Sequence, residues 1–337
     1  MSQELIGISV LWIFLYGYLI VASIDFGAGF FSIYSDWFGK KHVVHKVIQR
    51  YLSPVWEVTN VFLVFFFVGI VGFFPKTAYY YGTTLFVPIS ISIILLAIRG
   101  SYYAFGTYGH KENKIFTFLY GVTGLLIPAS LTTVLTISEG GFIKEENGTL
   151  QLLYSELFKS PYSWSVVLLA IVSVLFISAS FLTYYAHVAK DEKATQLLRK
   201  YALAWSFPTI LAAIVVFFTL KQHNAVHYNE MLNLSWAFLL SLVSFGIAIY
   251  LLYRQKYYGI AFIAVMAQFA FAFFAYGFSH YPYLLYPMLT IHDGFTNEVM
   301  ANTLILSFVA GLLVLVPSLY LLMRLFLFNR DYVQGKK

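Results

Sequence analysis

The chain has 337 residues, of which 60% are hydrophobic and only 11% charged, with a formal net charge of +6 and no cysteine. So low a charged fraction, against roughly 25% in soluble domains, excludes an ordinary water-soluble fold and identifies a polytopic membrane protein. The missing cysteines exclude disulfides, thiolate metal sites and thiol chemistry, and topology with anionic lipid accounts for the positive balance without nucleic acid.

Apolar runs of about twenty residues predict an all-α chain of nine transmembrane helices over 5–34, 54–74, 79–108, 115–138, 162–187, 201–220, 231–253, 258–278 and 301–327. The first run is too long for a signal-peptide core and lacks a basic start, so it is expected to be a retained span. Pro54 and Pro161 are expected in first helical turns and Pro75 after a helix end. Pro88, Pro128, Pro208 and Pro317 fall inside spans, where kinks are expected.

Alternate connections and the tail carry sixteen Lys and Arg, and the opposite side carries four: Lys76, Lys144, Lys159 and Lys221. The positive-inside bias therefore predicts an outer N-terminus, a cytoplasmic C-terminus and an odd number of spans. The acidic stretch from Glu139 to Pro161 and the tyrosine-rich stretch from His280 to Glu298 are expected as outer loops. Tyr79, Tyr80 and Tyr81, with Tyr281, Tyr283 and Tyr286, suit an interfacial aromatic belt, and a quinone site is the sharper alternative. Asn147-Gly148-Thr149 is a glycosylation triplet of a kind that arises by chance. A shared Tyr-Tyr-Ala at the ends of helices three and five gives no convincing internal repeat.

Three charges are placed within spans: Asp25, Glu57 and Arg99. A charged side chain at mid-span costs about 2.5 to 3.5 kcal/mol on insertion scales, so such residues face a bundle interior, a partner or a cavity. The span limits put Asp25 and Arg99 at similar depth, which permits an ion pair, with Glu57 nearer the cytoplasm. Two staggered acids with one base can pass protons inward. The competing readings are a purely structural Asp25–Arg99 pair and an ordinary first-turn acid at Glu57, capped by Ser53. Gly27 and Gly29, with Ala22, Ser23 and Ala28, leave room for a close neighbour or ordered water.

The eight histidines fall in expected loops or at helix ends, so none is well placed as a haem ligand within a span. His223 and His227 have metal-ligand spacing without an adjacent acid, and chance is the simpler explanation. The chain is expected to hold no metal and no catalytic residue of its own.

Helix one ends in "DFGAG" (Asp25 to Gly29), helix two opens with "SPVWEVTNVFL" (Ser53 to Leu63), helix three carries "AIRG" (Ala97 to Gly100), and the last outer loop reads "YPYLLYPMLTIHDGFTNE" (Tyr281 to Glu298). In this order, over nearly the whole chain, the set resembles subunit II of the cytochrome bd-type quinol oxidases. The resemblance implies two four-helix bundles plus one peripheral helix, paired with a related subunit I. Subunit I would hold two haems b, one haem d and the quinol-oxidising site, and small single-helix subunits are further candidate partners. The complex would sit in the cytoplasmic membrane, oxidising quinol and reducing dioxygen to water with cytoplasmic protons. By the same resemblance Asp25 and Glu57 match proton-delivery acids, with Trp56, Asn60, Arg99, Gly27 and Gly29 in support and Asp293 in the outer-loop motif. Ala22 stands where the family often has an earlier acid, and Thr59 and Asn60 depart from its polar pair. The expected function is thus a non-catalytic subunit that stabilises subunit I and supplies a proton path. The alternative is a stand-alone proton-coupled transporter built on the same three charges, and transporters usually show broken mid-membrane helices and internal repeats.

Overall fold

The computed structural model describes the backbone of residues 2–108, 114–146, 148–327, 329 and 333. Side chains at 41, 42, 45, 46, 49–58, 102–108 and 327 lie outside the described residues, as does the sequon residue Asn147.

The fold is all-helical apart from two small hairpins in connections. In chain order the helices are α1 (Gln3–Trp37), α2 (Lys41–Phe73), α3 (Pro75–Thr84), α4 (Phe86–Tyr108), α5 (Lys114–Leu131), α6 (Thr133–Ser138), α7 (Tyr154–Lys159), α8 (Pro161–Val188), α9 (Glu192–His223), α10 (Ala225–Asn233), α11 (Ser235–Tyr253), α12 (Tyr258–His280) and α13 (Glu298–Leu322). Strands β1 (Ile143–Glu146) and β2 (Thr149–Leu152) pair antiparallel between α6 and α7, and β3 (Tyr283–Leu285) pairs with β4 (Leu289–Thr290) between α12 and α13.

Among the described residues seven helices are long and apolar enough to cross a membrane, or eight if one bent pair counts as a single span. That pair is Thr59–Phe73 with Pro75–Thr84, turned by 118°. The turn falls at Phe74, where α2 ends before a proline that opens the next helix. The expected helix over 79–108 is in fact two helices, α3 and α4, parted at Leu85.

Several helices outrun their apolar cores. α2 starts at Lys41, so Pro54 lies inside it and not in a first turn, and Ser53 is not an N-cap that would make Glu57 a first-turn acid. α9 starts at Glu192, capped by the Asp191 side chain, which accepts from Ala194 N at 3.0 Å. The reason is that hydropathy marks only the stretch a bilayer would bury, while helix hydrogen bonding continues wherever caps and polar formers allow. Pro75 and Pro161 do open helices, and Pro128, Pro208 and Pro317 lie within them.

The core is laid down by α8, whose most apolar stretch is 72% buried, packed against α1, α5, α9 and α12. Its main cluster joins Ile24, Ala28 and Phe31 of α1 to Phe176, Ile177 and Leu182 of α8, Leu198 of α9 and Val265 of α12. α13, by contrast, is only 6% buried over the same kind of stretch.

The last connection is anchored at three points: Tyr286 N donates to Ser138 O (2.8 Å), Thr296 N to Phe73 O (3.0 Å) and Tyr81 Oη to Leu284 O (2.7 Å). Tyr81 is thus tied into this loop, whereas Tyr79 is mostly exposed.

Candidate functional site

Asp25 lies in the third quarter of α1, where Ser23, Ile24, Phe26, Gly27, Ala28 and Gly29 are buried with it on every face. A carboxylate in such a setting needs both a counter-charge and hydrogen-bond donors. α4 delivers them through Arg99, which is fully buried, with Nε 2.8 Å from Asp25 Oδ2. The other guanidinium nitrogens are also engaged: Nη2 donates to Asp25 O (2.6 Å) and Nη1 to Tyr120 O (2.7 Å) on α5. Tyr120 Oη donates to Asp25 Oδ1 at 3.2 Å, while its ring lies under the guanidinium with Cζ 4.0 Å from the centroid. Phe26 covers Arg99 from another side at 5.3 Å. One cation therefore joins α1, α4 and α5 through fixed-fork donors and ring faces, a task for which lysine has neither the geometry nor enough donors.

The glycines make this approach feasible. A Cβ on Gly29 would stand 2.7 Å from Tyr120 O and 3.0 Å from Arg99 Nη1, and one on Gly27 would stand 2.3 Å from Ser178 Cβ on α8. Ser178 uses the same contact to donate to Ile24 O at 2.8 Å. The small residues of helix one thus seat α5 and Arg99 on one side and α8 on another. Gly29→Ala or Gly27→Ala is expected to lower the thermal unfolding midpoint of the purified complex, at a cost of about 1–3 kcal/mol for overpacking. Gly246→Ala on α11, where a Cβ would meet nothing within 4 Å, is the control that should leave the midpoint in place.

Of the other sequence-derived candidates, Glu57 and Trp56 have side chains outside the described residues. Asn60 is half-buried on α2, and Ala22, at the position of the missing acid, packs in a cluster with Tyr18, Phe26, Ile127 and Val174. Tyr18 Oη, two turns before Asp25 on α1, is buried without a hydrogen-bond partner among the described residues.

Asp293 is remote from this site and closes its own loop. Its Oδ2 accepts from Thr290 Oγ1 (2.6 Å) and Thr290 N (2.7 Å), and these bonds hold the carboxyl below the ordinary aspartate range. Because the folded-state pKa is depressed, the anchoring is present above the unfolded value of about 4 and is lost as pH falls through the lower folded one. Limited proteolysis of the 281–297 connection is therefore expected to be faster in Asp293→Ala than in the parent at pH 6, with the difference vanishing in strong acid.

The stretch beginning at Glu139, expected as exposed outer loop, is corrected by the structure at its first residue. Glu139 caps α6 and its side chain is fully buried. Its two oxygens lie 2.8 and 2.9 Å from His227 Nδ1, and it accepts from Asn224 Nδ2 (3.0 Å) and from Tyr276 Oη. Burial pushes the Glu139 carboxyl up, but His227 foremost, then His280 and the Tyr276 hydroxyl, outweigh it and hold the group below the usual carboxylate range. His227 accordingly pairs with an acid, and its ring neighbour in space is His280 at 4.9 Å, not the His223 that shares its sequence spacing. The acid was missed because hydropathy ended the span one residue before it. The available signal was that Glu139, His227 and His280 all fall at span ends on the same expected side.

Among the described residues no histidine sits at mid-span: His187 and His223 lie at the ends of α8 and α9, His227 is on α10, His280 ends α12, and His292 is in the last connection. The nitrogen donors of the described residues do not fit axial ligation of a haem within the bilayer.

Residues 3–326 match the family model described as cytochrome bd terminal oxidase subunit II. The chain belongs to the cytochrome bd terminal oxidase subunit II family. It is 34% identical, over its whole length and 99% of the relative, to a Bacillus subtilis (strain 168) protein provisionally named cytochrome bd menaquinol oxidase subunit II. It also superposes with a TM-score of 0.85 and 66% identity on a chain from the structure of bd oxidase from Geobacillus thermodenitrificans, covering 98% of this chain and 100% of that one. As subunit II it is a multi-pass protein of the bacterial cytoplasmic membrane and part of a quinol:oxygen oxidoreductase complex. The family implies a subunit I partner and haems held in that subunit.

Proposed function

We propose that this subunit II holds subunit I in place and carries part of a proton path from the cytoplasm toward it. The observation that carries the reading is the Asp25–Arg99–Tyr120 constellation: an ionisable group buried in a membrane helix is retained for function by default. Asp25 keeps one carboxylate oxygen on Arg99 and the other on a hydroxyl, and a hydroxyl can receive and return a proton. The Tyr18 hydroxyl nearby, without a partner among the described residues, is a natural place for a water in the chain of donors. Glu57 is proposed as the entry acid, with Trp56 and Asn60 in support.

Nine spans with an outer N-terminus remain our topology. Seven long helices, the bent pair and the shorter apolar helix Phe86–Ser101 supply nine segments, and the asymmetry of sixteen basic residues against four supports the orientation. Two four-helix bundles with α13 as the peripheral helix agree with its slight burial, which leaves its apolar faces to lipid, subunit I or a small subunit. In this reading two haems b, haem d and the quinol site belong to subunit I, and this chain ligates none.

A tag on this chain should bring down a haem-bearing partner absorbing in the visible, at one copy each. A stable, colourless chain that purifies alone and moves a solute would instead establish the transporter reading.

A further inference from the structure

We propose that Glu139, His227 and His280 form a binding site for one divalent transition-metal ion of the zinc class, where the ends of α6 and α12 meet α10. One ligand atom from each residue can be chosen so that all three lie within 4.8 Å of one another. His227 Nδ1 and His280 Nδ1 stand 2.8 and 3.6 Å from Glu139 Oε1. Tetrahedral zinc with bonds of 2.0–2.1 Å sets its ligand atoms about 3.3 Å apart, so small side-chain adjustments suffice.

The hydrogen-bond setting of His227 also suits a metal ligand. Ser279 Oγ lies 2.8 Å from Tyr276 O, to which it can donate, and 2.7 Å from His227 Nε2, from which it can then accept. In the tautomer with the hydrogen on Nε2, Nδ1 carries a lone pair directed at Glu139, the arrangement of a metal-ligating imidazole. The Nε2–H to Ser279 bond is then the outer-shell partner that metal-bound histidines use to set their tautomer.

Two nitrogens and one carboxylate oxygen suit zinc better than magnesium or calcium, which favour all-oxygen shells. Tyr276 Oη, already on Glu139 Oε1, or a water completes the shell. The site is separate from Asp25 and its partners and does not rest on the proton-path reading.

The test uses the whole detergent-solubilised oxidase complex, stripped with chelator and dialysed against zinc ions, with zinc counted against haem iron. One zinc per complex is expected, and zinc-edge X-ray absorption should give two nitrogens and at least one oxygen at about 2.0–2.1 Å. Affinity should fall in Glu139→Gln and His280→Leu by more than the roughly 10–100-fold that loss of an outer-shell partner costs. His280→Leu leaves the bonds of Glu139 to His227, Asn224 and Tyr276 in place, so haem content should be retained. If haem is lost, His280→Gln is read in its place. A complex that binds no stoichiometric zinc, or whose zinc keeps full affinity in the haem-replete His280 variant, overturns the proposal.

Discussion

Arg99→Leu is expected to have the largest effect on stability of any single substitution in this chain. It strips a fully buried carboxylate of its cation and leaves Tyr120 O and Asp25 O without their donors. Removing one member of a buried pair costs about 3–5 kcal/mol, because the remaining charge stays desolvated and unpaired. The expected result is a complex that loses haem and subunit II on solubilisation, with a sharply lower thermal midpoint. Adding Asp25→Asn should recover part of the loss by discharging the partner. A coupling energy of about 0.5–3 kcal/mol is the signature of groups in direct contact. Strict additivity in the double variant would mean that the pair contributes nothing as a pair.

Asp25→Asn alone is expected to act on turnover. Asparagine keeps the shape of the side chain and an oxygen that can accept from Arg99 Nε, so packing among α1, α4 and α5 should hold. It cannot carry a proton. Quinol-driven oxygen consumption should fall about tenfold or more, a tenfold change being worth about 1.4 kcal/mol of barrier, while haem per complex stays at the parental value. A larger solvent deuterium isotope effect should accompany the fall. Full turnover with full haem would remove Asp25 from the path and leave it as the anchor of α4.

These two outcomes separate the roles that one ion pair can combine. A purely structural pair makes Arg99→Leu severe and Asp25→Asn nearly silent in turnover. A proton-handling acid makes Asp25→Asn slow while the complex stays intact.

How far the sequence could be read differs from residue to residue. Asp25 and Arg99 were legible as charges in the wrong solvent, and helical rise put them at similar depth. That Arg99 would also reach Tyr120 O, and that Gly29 and Gly27 would separate duties between α5 and α8, depends on which helices are neighbours, and periodicity does not encode that. The ends of α2 and α9 were misjudged because hydropathy reports lipid burial and not helix length. Glu139 was misjudged for the converse reason: a carboxylate one residue past an apolar run looks solvated until α10 and α12 close over it.

By itself the sequence determined that the chain is a multi-pass helical membrane protein, that its alternate connections differ in basic charge, and that its motifs match the subunit II family. Each of these is a local property: apolar run length, loop composition and short residue patterns set by the bilayer and by helix geometry. Only the tertiary structure decided which charges meet. It brought Asp25 to Arg99 from 74 residues away and gathered Glu139, His227 and His280 from three helix ends. Burying an ion is affordable only where donors from several helices converge, and that convergence is a property of packing.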